Sequence, residues 1–203
     1  MATVTDESDA TTEPFRAPAA LLTIAGAIGL LASFVLSVDK VRLLEDKLAG
    51  RTSSFNCDLS PFVSCSSVID SHQSSAFGFP NAYLGILGFA VVLTLGVVWL
   101  GRIPVRGWIW AGLQLGTLFG ISFVTWLQFQ SIYRIGFLCP YCMVVWAVMI
   151  PTFVAVTAGS LRMLHSRSAV TRFVNDWTLL IVALWYIAIG AAIWFKFGER
   201  LWA

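Results

Sequence analysis

Four cysteines carry the chemistry open to this chain. Cys57 and Cys65 stand with seven residues between them, and Cys139 and Cys142 form the motif Cys139-Pro140-Tyr141-Cys142. Four thiolates can hold a tetrahedral metal, close two static disulfides, or move two electrons by thiol–disulfide exchange. The spacing of the first pair is unlike the paired C-x2–4-C knuckles of structural zinc sites, and no histidine follows Cys142 as c-type haem attachment requires. Static bridges are ordinary outside the cytoplasm, but one closing a ring as small as C-x-x-C constrains little. Cys139 is placed to cap a helix, with Pro140 at its first position and Cys142 one turn in. Unpaired amides at such a start favour a thiolate, and the thiolate is the attacking species. A redox relay uses all four sulfurs.

The elements that must position them are apolar. Of 203 residues, 58% are hydrophobic and 12% charged, about half the charge of a soluble domain. The class is integral membrane protein. A net charge of +2 gives no argument for a nucleic-acid partner or an acidic substrate. Five uncharged stretches are long enough to cross roughly 30 Å of hydrocarbon: Ala17 to Val38, Ala82 to Gly101, Gly107 to Tyr133, Ile135 to Leu161 and Trp177 to Phe195. Strand-like alternation is missing, so the expected fold is an all-α integral membrane bundle.

Residues 1–16 read as a disordered cytoplasmic tail. Beyond Val38 the spacing of Val41, Leu44 and Leu48 predicts an amphipathic extension of the first helix, ended by Gly50. Residues 39–81 then form the long loop with Cys57 and Cys65. Ser60-Pro61 predicts a helix start, with Phe62, Val63, Val68 and Ile69 on a short helix carrying Cys65. Phe77-Gly78-Phe79-Pro80-Asn81 turns the chain into the second span. Arg102 and Arg106, and the cluster Arg162, His165, Arg167 and Arg172 in a basic loop over 162–176, place connections two and four in the cytoplasm by the positive-inside rule. The first loop, with Lys40, Arg42, Lys47 and Arg51 against a single Arg16, points the other way. Whatever the orientation, odd-numbered connections share a side, so all four cysteines face one compartment, here expected to be extracytoplasmic. Gly26, Gly29 and Ala32 predict close helix packing. Pro151 predicts a kink whose freed carbonyl a neighbouring helix covers. His72 reads as a solvated loop residue.

The pattern Cys57-Asp58, Cys65-Ser66-Ser67-Val68, Ser71, Gly78-Phe79-Pro80-Asn81, Gly85 and Cys139-x-x-Cys142 resembles the vitamin K epoxide reductase (VKOR) family in its bacterial branch, over about residues 17–160. The resemblance implies a four-helix transmembrane bundle around a quinone (menaquinone or ubiquinone), over 17–161, with a fifth, peripheral transmembrane helix in 177–203. It implies that Cys139 and Cys142 are the active-site pair, with Cys142 facing the quinone and Cys139 exchanging with the shuttle Cys65. Cys57 is then the entry point for a partner, and Asn81 matches the position that hydrogen-bonds a quinone carbonyl. Trp146 stands where vertebrate members have a quinone-binding tyrosine, so it is a candidate quinone contact with a different reach. Many bacterial members carry a fused thioredoxin-like domain. This chain stops at Ala203, so the expected partner is a separate DsbA-like, thioredoxin-fold protein. The expected activity is that of a quinone-dependent thiol–disulfide oxidoreductase, without a metal, in the bacterial inner (plasma) membrane. A quinone epoxide reductase with the same chemistry, and a membrane protein whose disulfides are only structural, are the alternatives.

Overall fold

A computed structural model describes residues 13–51, 55, 57–60, 62–103, 106–165 and 169–201; most of the expected N-terminal tail, Pro61 and Arg167 lie outside them. Among the described residues seven α-helices follow in order: α1 (Glu13–Leu48), α2 (Cys65–Asp70), α3 (Ala82–Leu100), α4 (Gly107–Phe129), α5 (Pro140–His165), α6 (Ala169–Asp176) and α7 (Thr178–Leu201). A 3-10 turn (His72–Ser75) follows α2 and a π turn (Gln130–Ile135) follows α4. Five of the helices, α1, α3, α4, α5 and α7, are long and apolar enough to cross a membrane. The chain is an all-α, multi-pass membrane protein.

The first helix runs well past Val38 because Leu43 still has a buried place beside the cysteine loop. It stops at Gly50, whose φ of +65° lets the Arg51 amide turn back to the Asp46 carbonyl at 2.8 Å. That is the left-handed glycine ending that satisfies the last carbonyls of a helix.

α1 packs along α3 and α5, and α4 packs on α5. The α1–α3 seam is as close as the small residues predict. A Cβ on Gly26 would stand 2.6 Å from the Leu93 nitrogen, and one on Gly96 would stand 2.6 Å from the Thr23 nitrogen. Without a hydrophobic drive between helices in lipid, such backbone approach supplies the packing energy. α7 lies against the outside of α5, with Phe153 and Trp185 edge to face at 6.5 Å. Pro151 of α5 has no N–H for the Ala147 carbonyl, and the Tyr186 hydroxyl of α7 donates to that carbonyl instead. At its far end α7 buries Phe197 against Phe62 of the cysteine loop, ring centres 6.3 Å apart.

The fourth span begins at Pro140 rather than at Ile135. The π turn closes on Gly136, at φ +74°, with the Gly136 amide bonded to the Ser131 carbonyl at 2.9 Å. The Ser131 hydroxyl then holds the Phe137 carbonyl at 2.5 Å. Residues 137–139 are thereby freed from the helix, and Leu138 bridges to Val63 of the loop.

Candidate functional site

The extended segment before Pro140 is what brings the cysteines together. The Leu138 amide donates to the Phe62 carbonyl at 2.8 Å, and the Ser64 amide donates to the Leu138 carbonyl at 2.9 Å. This short strap fixes the residue before Cys65 against the residue before Cys139. Ser64, in extended conformation, caps α2 by accepting from the Ser67 amide at 3.2 Å. The short helix therefore starts at Cys65, not at Ser60-Pro61. Ser60 makes a tight turn instead, its hydroxyl accepting from the Val63 amide at 3.1 Å. The reason is tertiary: residues 62–64 pair with Leu138 and cannot also be helical.

Cys57 and Cys65 form a disulfide, with Cα atoms 5.6 Å apart. The Cys139 sulfur lies 3.4 Å from the Cys65 sulfur, and both residues are fully buried. Cys139 and Cys142 are free thiols. The Cys139 carbonyl accepts from the Met143 amide at 3.0 Å, so Cys139 is the cap and Pro140 the first helical residue. Just ahead of the span, the Cys139 thiol is held below its ordinary pKa. A hydrogen bond from the Cys142 thiol is the largest cause, burial opposes it, and the amides of Cys142 and Tyr141 add to it; Asp39 nearby works the other way. The arrangement favours Cys139 as the thiolate.

Asp58 gains a role that no motif assigned to it. Its carboxylate accepts from the Phe55 amide at 3.1 Å, the Ser66 amide at 3.1 Å and the Ser64 hydroxyl at 2.8 Å. Partial burial raises its pKa, and these bonds, with the Ser66 hydroxyl, outweigh burial and bring it below the usual carboxylate value. Asp58 thus ties the Cys57 segment to the start of α2.

Beside the thiols, α1, α3, α4, α5 and the cysteine loop line a half-open cavity of about 580 Å³. Its walls are apolar, with Phe89, Val92, Leu113, Val124 and Met149 among them. Cys142 and Trp146 lie on the α5 wall. Cys142 is half-buried and packs both against the thiol cluster and against the core around Trp146. Polar groups gather at the loop end: Lys40, Ser71, Gln73, Ser74 and Asn81. Asn81 accepts from the Ala76 amide at 3.0 Å and donates to the Gln73 carbonyl at 2.7 Å, so its carboxamide first holds the turn over the cavity. Its second N–H has no partner among the described residues. A flat apolar ring with two carbonyls suits this volume and lining, which match those of small-molecule sites. His72 is exposed on the turn. The sequence marked Lys40 only as a first-loop cation, although Ser33, Leu36 and Lys40 follow one face of α1 into the cavity; that helical spacing was the available signal for its place there.

The family model described as "Vitamin K epoxide reductase family" matches residues 20–157, from the first turns of α1 through most of α5. No curated protein matches the chain.

Proposed function

The chain belongs to the vitamin K epoxide reductase family, whose members are quinone-linked membrane oxidoreductases, and we propose that it oxidises a secreted thioredoxin-fold protein. The partner is a separate, DsbA-like dithiol. Its two electrons pass through the loop cysteines and then the membrane pair to a quinone, menaquinone or ubiquinone, and so support disulfide formation outside the cytoplasm. The observation that carries this reading is the 3.4 Å approach of Cys139 to Cys65, with Cys142 on the cavity wall.

The exchange runs by thiolate attack. A partner thiolate attacks Cys57, the partner's second thiolate resolves the mixed disulfide, and Cys57 and Cys65 are left as thiols. Cys65 then attacks Cys139 of an oxidised Cys139–Cys142 pair; the Cys65–Cys139 bond forms and Cys142 leaves as thiolate. Cys57 attacks Cys65, restoring the loop disulfide and releasing Cys139. A loop disulfide beside a free Cys139 is the arrangement that this last step leaves behind. Bound in the cavity, a quinone supplies a sink for two electrons and two protons, and a Cys139–Cys142 disulfide is the other product. Trp146 and the apolar walls would hold the ring and keep water from Cys142, while the spare N–H of Asn81 is available to a carbonyl at the loop end.

The extracytoplasmic placing of the cysteines draws support from how the basic first loop is used. Lys47 pairs with Asp70 and Arg51 with Asp46, while Lys40 is bonded to loop oxygens. Lys47 and Arg51 are thus held in ion pairs, and the short Arg-rich second and fourth connections carry the orientation.

The test is purified chain with a reduced DsbA-like protein and a quinone, followed by quinone absorbance. Quinone loss should match partner oxidation one to one. Turnover that persists in Cys142→Ala overturns the path.

A further inference from the structure

Lys40 is the one charged side chain among the described residues that line the cavity. Its Nζ donates to the Ile69 carbonyl at 2.7 Å and the Ser74 hydroxyl at 2.9 Å. Both partners are neutral oxygens, and both residues line the same cavity end. Of the nearby carboxylates, Asp70 pairs with Lys47 and reaches Lys40 only through space, and no ion pair joins Asp39 to Lys40 among the described residues. An ammonium has three N–H donors, so one is left for a ligand. In an apolar cavity a ligand anion is costly unless a countercharge faces it, and a fixed charge aimed at developing negative charge is an effective way to favour a reaction.

We propose that Lys40 makes this cavity selective for a ring oxygen bearing negative charge, and thereby favours the charge that builds on a quinone carbonyl as electrons arrive. The inference rests on the quinone reading above. The electron and proton balance is that of the thiol pair: two thiols lose two electrons and two protons, and become one disulfide. Lys40 keeps its proton and acts by its field.

The test uses purified full-length chain and quenching of its tryptophan fluorescence by two ligands of similar size. One is 2-hydroxy-1,4-naphthoquinone, an enolate anion at neutral pH; the other is the neutral 2-methoxy compound. The wild type should bind the anion about tenfold more tightly. Lys40→Arg should keep that preference. Lys40→Gln, which keeps a donor for the Ile69 carbonyl without the charge, should bind both ligands within about twofold of one another and hold the neutral one as the wild type does. Equal affinities in the wild type, a preference surviving in Lys40→Gln, or equal loss of both ligands in Lys40→Gln overturn the assignment. A wild type that binds neither ligand overturns the quinone reading itself.

Discussion

Cys139 and Cys65 are separated by 74 residues of chain, yet their sulfurs lie 3.4 Å apart, both shut away from solvent. Thiol–disulfide exchange needs such an approach, and burial shields the pair from thiols in solution. The strap of Leu138 to Phe62 and Ser64 fixes the distance from the backbone, so no side-chain search is required.

Removing both resolving sulfurs should therefore trap the bridge. The variant Cys57→Ala/Cys142→Ala is expected to oxidise in air to a Cys65–Cys139 disulfide in most molecules. Alkylation before and after reduction, followed by peptide mass spectrometry, reads it directly. Two free thiols in the oxidised variant would exclude the exchange step.

Asp58 makes the loop sensitive to acid. Its carboxyl lies below the ordinary aspartate value of about 3.9, because amides and hydroxyls bind its charged form. A group whose pKa is lowered by folding contributes stability above its unfolded pKa, and loses it as pH falls through the lower folded value. Hydrogen exchange at the Phe55 and Ser66 amides should stay protected from neutral pH down to about 4 and be lost further down. Asp58→Ala should lose about tenfold of that protection already at neutral pH, since the donors to a charged acceptor are then unpaired. A flat profile shared with wild type would remove Asp58 from the loop's support.

Gly26 should resist any side chain. In Gly26→Ala the new carbon would meet the Leu93 nitrogen at 2.6 Å and its Cα at 2.7 Å, and backbone cannot step aside as a side chain does. α3 must move, at a cost of about 1–3 kcal/mol, and the cavity wall formed by Phe89 and Val92 moves with it. Gly190→Ala is the control: a Cβ there meets no described atom within 4 Å. Thermal unfolding should separate the two, and equal melting would refute close α1–α3 packing.

The parts legible in the sequence were those with a local physical signature. Charge gaps marked the five spans, small residues marked the α1–α3 seam, and Pro140 marked the start of α5. What escaped depends on long-range pairing. Residues 62–64 carry a plausible helix start at Ser60, and only Leu138 across the loop turns them into a strap and moves the helix start to Cys65. Asn81 was legible as a polar group entering α3, but its bonds to Gln73 and Ala76 are not. Lys40 resembled an ordinary interfacial cation, because the loop carbonyl that holds it lies 29 residues away.

The docking of α7 rests on a proline in another helix. Pro151 leaves the Ala147 carbonyl without its helical donor, and the Tyr186 hydroxyl takes that place. Tyr186→Phe should destabilise the protein by about 0.6–1.7 kcal/mol, the range for such bonds in membrane bundles. The cause can be isolated. Pro151→Ala restores a backbone N–H that can bond the Ala147 carbonyl within the helix, so the hydroxyl is no longer needed, and Tyr186→Phe should then cost far less. A double-mutant cycle on unfolding in a mixed-micelle titration measures this coupling. If Tyr186→Phe costs the same in both backgrounds, the hydroxyl is not compensating for the proline, and α7 is held by its apolar face alone.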